Sequence, residues 1–320
     1  MAMASGDIKV QQSIPKALRY SFEDFNRQFP SDDACLEYIK EQRFPGGIAH
    51  CAKCDLDRKH YRVTDRTAYA CEFCGNHIYP LAGTILEKTT TSLRTWFYAM
   101  YLMGSTRCGI SAKQIQRETS VTYKTAWRMF KQIRTLLSES LQLEGPLVEA
   151  DETYFGGRRK KGTGRPMRGD KTKIPILGIV ERKGRVVAKT IDSVNAENLV
   201  GNIHKHVLPP STVYTDELNA YNTVPGRRQY DHRRIHHSSH VYVVGDIHTN
   251  TVEGFLSLLK RGIGGVYHAV SQKYLQTYLD EYTYRYNRRD MGNLIFMSIL
   301  AEVSKRARRD EPASTETETA

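Results

Sequence analysis

Four of the six cysteines fall in two Cys-x-x-Cys pairs, Cys51 with Cys54 and Cys71 with Cys74, sixteen residues apart. A segment this short buries too little apolar surface to hold itself together, but four thiolates at this spacing close tetrahedrally around one Zn²⁺. Four reduced structural cysteines are the alternative, and that needs a coincidence of spacing. Tyr61, Val63 and Tyr69 suggest a hairpin between the pairs, so residues 46–82 are expected to form a zinc ribbon. A site closed by four sulfurs has no open position, which makes this zinc structural. His50, His60 and His77 lie nearby and receive no metal role. Cys35 and Cys108 stand alone, a usage that fits a reducing compartment better than a disulfide framework.

With 320 residues, 40% of them hydrophobic, the chain has room for one large domain and one or two small ones. Lys and Arg outnumber Asp and Glu by 47 to 35, a net charge of +12 that favours a polyanionic partner, nucleic acid first. No apolar run approaches the length of a membrane span, and neither a cleavable leader nor a lipidation motif is evident. A cytoplasmic protein with no membrane partner is the expectation.

Residues 1–17 are polar and unpatterned and read as a loose arm. Between 18 and 45 the apolar positions Phe22, Phe25, Phe29, Leu36 and Ile39 suggest short helices, with Ser31 as an N-cap. Beyond the cysteines, residues 90–142 read as helices, one from Leu93 to Met103 and then a pair separated by Thr119–Val121. That layout suits a helix-turn-helix offering Thr122, Tyr123, Lys124 and Arg128 to a DNA groove, although small three-helix packings also look like this.

Pro146 to Gly157, PLVEADETYFGG, is an apolar strand with an acid in its middle. A carboxylate on a core strand is costly unless a cation neutralises it, and we read Asp151 as a metal ligand. The stretch from Gly156 to Lys173 carries eight cations, one acid and five glycines. It cannot bury a core and reads as an exposed loop; a solvated flexible loop is the alternative, but beside a carboxylate that needs a metal and a polyanion, Arg158, Arg159, Lys160, Lys161 and Arg165 are assigned to the phosphate backbone. Two strands come next, Ile174–Glu181 and Val186–Ile191, then a helix from Asn195 to Val207. Thr212–Thr215 is a short strand ending in Asp216, an acid placed where open α/β sheets bind ligands, though it could instead cap the helical turn after it. His248 to Glu253 opens a helix on which Asn250 and Glu253 share a face; Asn-x-x-Glu is also capping-box spacing.

Three acids on a central strand, at a second strand's end and on a later helix form the arrangement of a ribonuclease-H-like nucleotidyl-transfer domain. The motifs VEADETYFGG, VYTDELNAY, HTNTVEGFLSLLKRG and YLDEYTYRYNRR, with the cysteine pairs ahead of them, resemble the zinc-ribbon DDE-type transposases of bacterial insertion sequences, a group related to Merlin elements. The resemblance spans roughly residues 20–290. It implies an α/β catalytic domain over 146–292, a ribonuclease-H-like mixed five-stranded sheet with flanking helices. Residues 293–320 are left as a C-terminal helix and disordered tail.

The resemblance further implies that Asp151, Asp216 and Glu253 hold two Mg²⁺ or Mn²⁺ ions and that Lys260 helps position DNA. The group uses Glu or Asn as its third residue; Glu253 is preferred because an anionic ligand suits Mg²⁺ better than an amide, with Asn250 in support. Implied partners are element ends and target DNA, bound by a homodimer or higher oligomer in a bacterial, nucleoid-associated setting. His236, His237, His240 and His248 are read as structural or backbone-contacting. A regulator using only the ribbon and helix-turn-helix, and a metal-dependent nuclease or resolvase of the same fold, are the alternatives.

Overall fold

The computed structural model describes residues 19–106, 108–156, 173–222, 224, 230–234 and 249–305. Two helices open it, α1 (Phe22–Gln28) and α2 (Asp32–Arg43). Ser21 and Asp24 cap α1 reciprocally, and Ser31 caps α2 by accepting from the Ala34 N–H.

Four short antiparallel strands come next in the order β1 (Ile48–Cys51), β2 (Leu56–Arg62), β3 (Tyr69–Cys71) and β4 (His77–Ile78). The β2–β3 hairpin pairs Tyr61 with Ala70, as the sequence between the cysteine pairs suggests. Three helices succeed them: α3 (Leu93–Ser105), α4 (Ala112–Thr119) and α5 (Tyr123–Thr135). Ser120, in the left-handed region at φ 56°, turns the chain between α4 and α5.

The central sheet comprises β5 (Leu147–Phe155), β6 (Ile174–Glu181), β7 (Val186–Thr190), β8 (Ser211–Thr215) and β9 (Tyr230–Arg234), in the order β7-β6-β5-β8-β9. Only β6 runs against the others, since it is antiparallel to β5 and β7 while β8 and β9 continue parallel to β5. This is the mixed ribonuclease-H-like sheet expected. β6 is buried almost end to end, as its continuous apolar sequence requires of a strand covered on both faces.

Helix α6 (Ala196–His206), capped by Asn195, covers one face through Leu199, Val200 and Ile203 packed on Val148, Ala150 and Val213. The other face is covered by α7 (Asn250–Gly262) and α8 (Gln272–Asn287), through Val252, Phe255, Leu256, Leu275 and Leu279. Gly178 permits this close approach, because a Cβ there would stand 3.1 Å from Val252 and 3.2 Å from Leu256.

The last described helix, α9 (Ile295–Ser304), joins the N-terminal core instead of the sheet. Phe296, Ile299 and Leu300 bury among Phe25, Phe29, Trp96, Phe97 and Met100. Each such aromatic contributes about 1.5–3 kcal/mol by leaving water. A buried ion pair ties the two cores together: Arg134 Nε on α5 lies 2.7 Å from Glu281 Oε2 on α8, and Arg285 Nη2 lies 3.1 Å from Glu281 Oε1. No helix among the described residues is long and apolar enough to cross a membrane.

Candidate active site and metal centres

Both cysteine pairs sit at strand ends, where the backbone makes a knuckle. After Cys51 the Asp55 N–H returns to the Cys51 carbonyl at 2.8 Å with Asp55 at φ 54°; after Cys71 the Gly75 N–H returns to the Cys71 carbonyl at 3.0 Å with Gly75 at φ 70°. The four sulfurs converge, with Cys51 Sγ 3.4 Å from Cys74 Sγ and Cys54 Sγ 3.9 Å from Cys71 Sγ. Zn–S bonds of about 2.3 Å in a tetrahedron place sulfurs about 3.8 Å apart, so this cage fits a divalent metal.

A second convergence occupies the carboxyl end of the central strands, where ligand atoms of Asp151, Glu152 and Asp216 all lie within 4.8 Å of one another. Pairing between β5 and β8 ends at Glu149 with Tyr214, and β5 then runs on beside β6 alone. Past that end, side chains from either face of β5 reach the space above β8, where Asp216 stands. Strand alternation places Asp151 and Glu152 on opposite faces, which is why the sequence reading passed over Glu152. Its signal is the offset between a long central strand and a short neighbour.

The cluster is electrostatically strained. Burial pushes the Asp151 carboxyl from its usual 3.8 to about 7, and the charges of Glu152, Asp216 and Glu253 add to the shift. Glu152 Oε2 accepts from the hydroxyl of Tyr221 at 2.9 Å, and burial together with that carboxylate holds Tyr221 well above its normal range. Asp216 Oδ1 accepts from the Leu218 N–H at 3.0 Å, an Asx turn that coexists with its place in the cluster. Thr215 Oγ1 lies 2.9 Å from His232 Nε2, and burial lowers the pKa of that imidazole.

Glu253 stands in the first turn of α7, close enough to raise Asp151 but outside the tight group of three. The capping-box alternative for Asn250 and Glu253 does not form. Thr249 is the N-cap, its side chain makes no capping bond, and its hydroxyl donates to Glu253 Oε1 at 2.9 Å. Asn250 and Lys260 are exposed on α7. Tyr123, Lys124 and Arg128 are exposed on α5, and Thr122 is its N-cap, accepting from the Thr125 N–H at 3.2 Å. Arg158, Arg159, Lys160, Lys161, Arg165, His236, His237, His240 and His248 lie outside the described residues.

Residues 142–287 match the ISXO2-like transposase domain, and residues 30–77 match the transposase zinc-ribbon domain. A Halobacterium salinarum protein described as an uncharacterized protein in transposable element ISH50 is 29% identical over 280 residues, 81% of this chain and 92% of its own length. Among solved structures, a chain of the simian T-cell lymphotropic virus intasome in complex with PP2A regulatory subunit B56 gamma is 14% identical with a TM-score of 0.29, over 53% of this chain and 63% of that one. A chain of the Mos1 strand transfer complex is 11% identical with a TM-score of 0.32, over 64% and 76%. With a matched zinc ribbon ahead of a matched transposase domain, and acids converging at the carboxyl end of its mixed sheet, the chain carries the domain pair of an insertion-sequence DDE transposase with an N-terminal zinc ribbon.

Proposed function

We propose that this protein binds the ends of its insertion sequence, cleaves there by metal-dependent phosphodiester hydrolysis, and joins the resulting 3′ hydroxyl to target DNA. The observation that carries the reading is the convergence of Asp151, Glu152 and Asp216 within 4.8 Å, with Asp151 held up at about 7 by burial and by its neighbours' charge. Carboxylates this close repel unless a cation lies between them, and oxygen-only donors suit Mg²⁺ or Mn²⁺.

Asp151, Asp216 and Glu253 hold two such ions, with Glu152 adding negative charge and a Tyr221-oriented oxygen. When bound, paired divalent ions activate the attacking oxygen and stabilise the leaving one in an in-line displacement. Asp151 gives up its proton on loading, and Thr249 fixes the Glu253 carboxylate by donating to it. Asn250 and Lys260, exposed on the same helix, contact the DNA that enters the site. One Zn²⁺ on Cys51, Cys54, Cys71 and Cys74 folds the ribbon. Helices α4 and α5 act as a helix-turn-helix, with Tyr123, Lys124 and Arg128 facing the groove and Thr122 at its edge. The basic stretch bearing Arg158 to Arg165 follows the backbone. Two ends must be held at once, so the DNA complex contains a homodimer or higher oligomer.

The test is a strand-transfer assay with Mg²⁺, the inverted repeats flanking the coding region, and a supercoiled target plasmid. Joined products are expected from the wild type and not from Asp151→Asn, Asp216→Asn or Glu253→Gln. Joining by Asp151→Asn would overturn the assignment, and cleavage without joining would favour a nuclease of the same fold.

A further inference from the structure

Two residues before Asp151, on the same face of β5, stands a carboxylate for which this reading of the site has no task. Glu149 is fully buried. Its Oε2 accepts from the backbone N–H groups of Thr251 at 2.8 Å and Val252 at 3.0 Å. Its Oε1 accepts from the Thr251 hydroxyl at 2.9 Å and from Arg182 Nε at 2.7 Å. The first turn of a helix leaves its N–H groups without intrahelical partners, and a local side chain normally satisfies some of them. In α7 the N-cap residue Thr249 does not, because its hydroxyl is committed to Glu253. A residue 102 positions away in the chain does so instead.

Arg182, which neutralises Glu149, extends the connection. Its guanidinium carbon lies 4.3 Å from the centre of the Tyr214 ring, and Tyr214 is two residues before Asp216 on β8. Glu149 and Arg182 therefore touch the three elements that place the acids: β5 with Asp151, α7 with Glu253, and β8, which leads into Asp216.

We propose that Glu149 is a positioning residue for the metal site: it fixes the first turn of α7, and so Glu253, against the strands bearing Asp151 and Asp216. The inference rests on the reading of those acids as metal ligands. The requirement is for a carboxylate specifically. Every group aimed at Glu149 in these contacts is a donor, and glutamine would present an NH₂ to donors in either orientation of its amide. Glu149→Gln keeps the volume and breaks the clamp. Residues that orient metal ligands typically cost 10–100-fold in metal affinity when changed.

The experiment uses the full chain with its zinc in place and measures Mn²⁺ binding by electron paramagnetic resonance without DNA, so that catalysis is not the readout. Glu149→Gln is expected to weaken Mn²⁺ binding at least about tenfold while leaving circular dichroism and zinc content as in the wild type. The Mg²⁺ midpoint for end cleavage should move by the same factor. Thr251→Val removes only the hydroxyl contact and should give a smaller but measurable loss, which keeps the test decisive if Glu149→Gln does not fold. Wild-type Mn²⁺ affinity in a folded Glu149→Gln, or in Thr251→Val should the first fail to fold, overturns the positioning role. Asp151→Asn separates the two ideas: undiminished Mn²⁺ binding in that variant refutes the reading of the acids, whereas its loss alongside a wild-type Glu149→Gln refutes only the clamp.

Discussion

Replacing Asp151 with asparagine should make the Mg²⁺-free protein more stable while destroying its activity. In the folded chain burial and three neighbouring acids raise Asp151 from its usual 3.8 to about 7, so ionising it there opposes folding by about 4 kcal/mol at most. Solvent reaching the half-buried carboxylate lowers this, leaving about 2–4 kcal/mol for asparagine of the same size to recover at pH 8. The folded state keeps this proton to higher pH than the unfolded state. Wild-type stability from this group is therefore greatest in acid, falls as pH rises through 7, and is flat above. The gain from Asp151→Asn should accordingly shrink by about half at pH 5.5. Urea unfolding of zinc-loaded protein at the two pH values, without chelator so that the cysteine site stays intact, measures both quantities. Added Mg²⁺ should stabilise the wild type and leave the variant unchanged. A variant no more stable than wild type at pH 8, or a gain independent of pH, would refute the claim that mutual repulsion and burial strain this site.

Two more outcomes are expected from other parts of the molecule. Glu281→Ala leaves Arg134 and Arg285 without their buried counter-charge, so it should cost about 3–5 kcal/mol in thermal unfolding; Arg134→Met combined with it should recover much of that loss. Cys54→Ala should abolish stoichiometric zinc in metal analysis and render the segment around β1–β4 protease-sensitive, while the sheet over β5–β9 keeps its protection.

The strands of the sheet were readable because their signal is local. The continuous apolar run of β6 and the alternating β5 each carry it within a few residues. Asp151 and Asp216 were readable because an acid in or beside a core strand is anomalous on its own. Glu152 was not, since its access to the site depends on where β8 stops, a fact about pairing and not about Glu152. Glu149 was hidden for a related reason: the donors that make its burial tolerable come from Arg182 and from α7, far along the chain. Helix α9 was legible as a helix, but nothing in its apolar face says that it packs on α3 and not on the sheet.

That placement of α9 has a consequence for how the protein is made. A chain emerging from the ribosome at ~5–20 residues per second exposes α1 to α5 on the order of 10–40 s before α9 emerges. Until then the seat for Phe296, lined by Phe25 and Phe29, is open to water. The hydrogen bond from the Asn293 side-chain amide to the Tyr20 carbonyl, which spans 273 residues, cannot close either. Gly104 sets the tightness of that late closure, because a Cβ there would meet the Phe296 backbone at 2.7 Å. The helical half thus finishes folding only after the central sheet has been synthesised, and a nascent chain does not display a mature helical module ahead of that sheet.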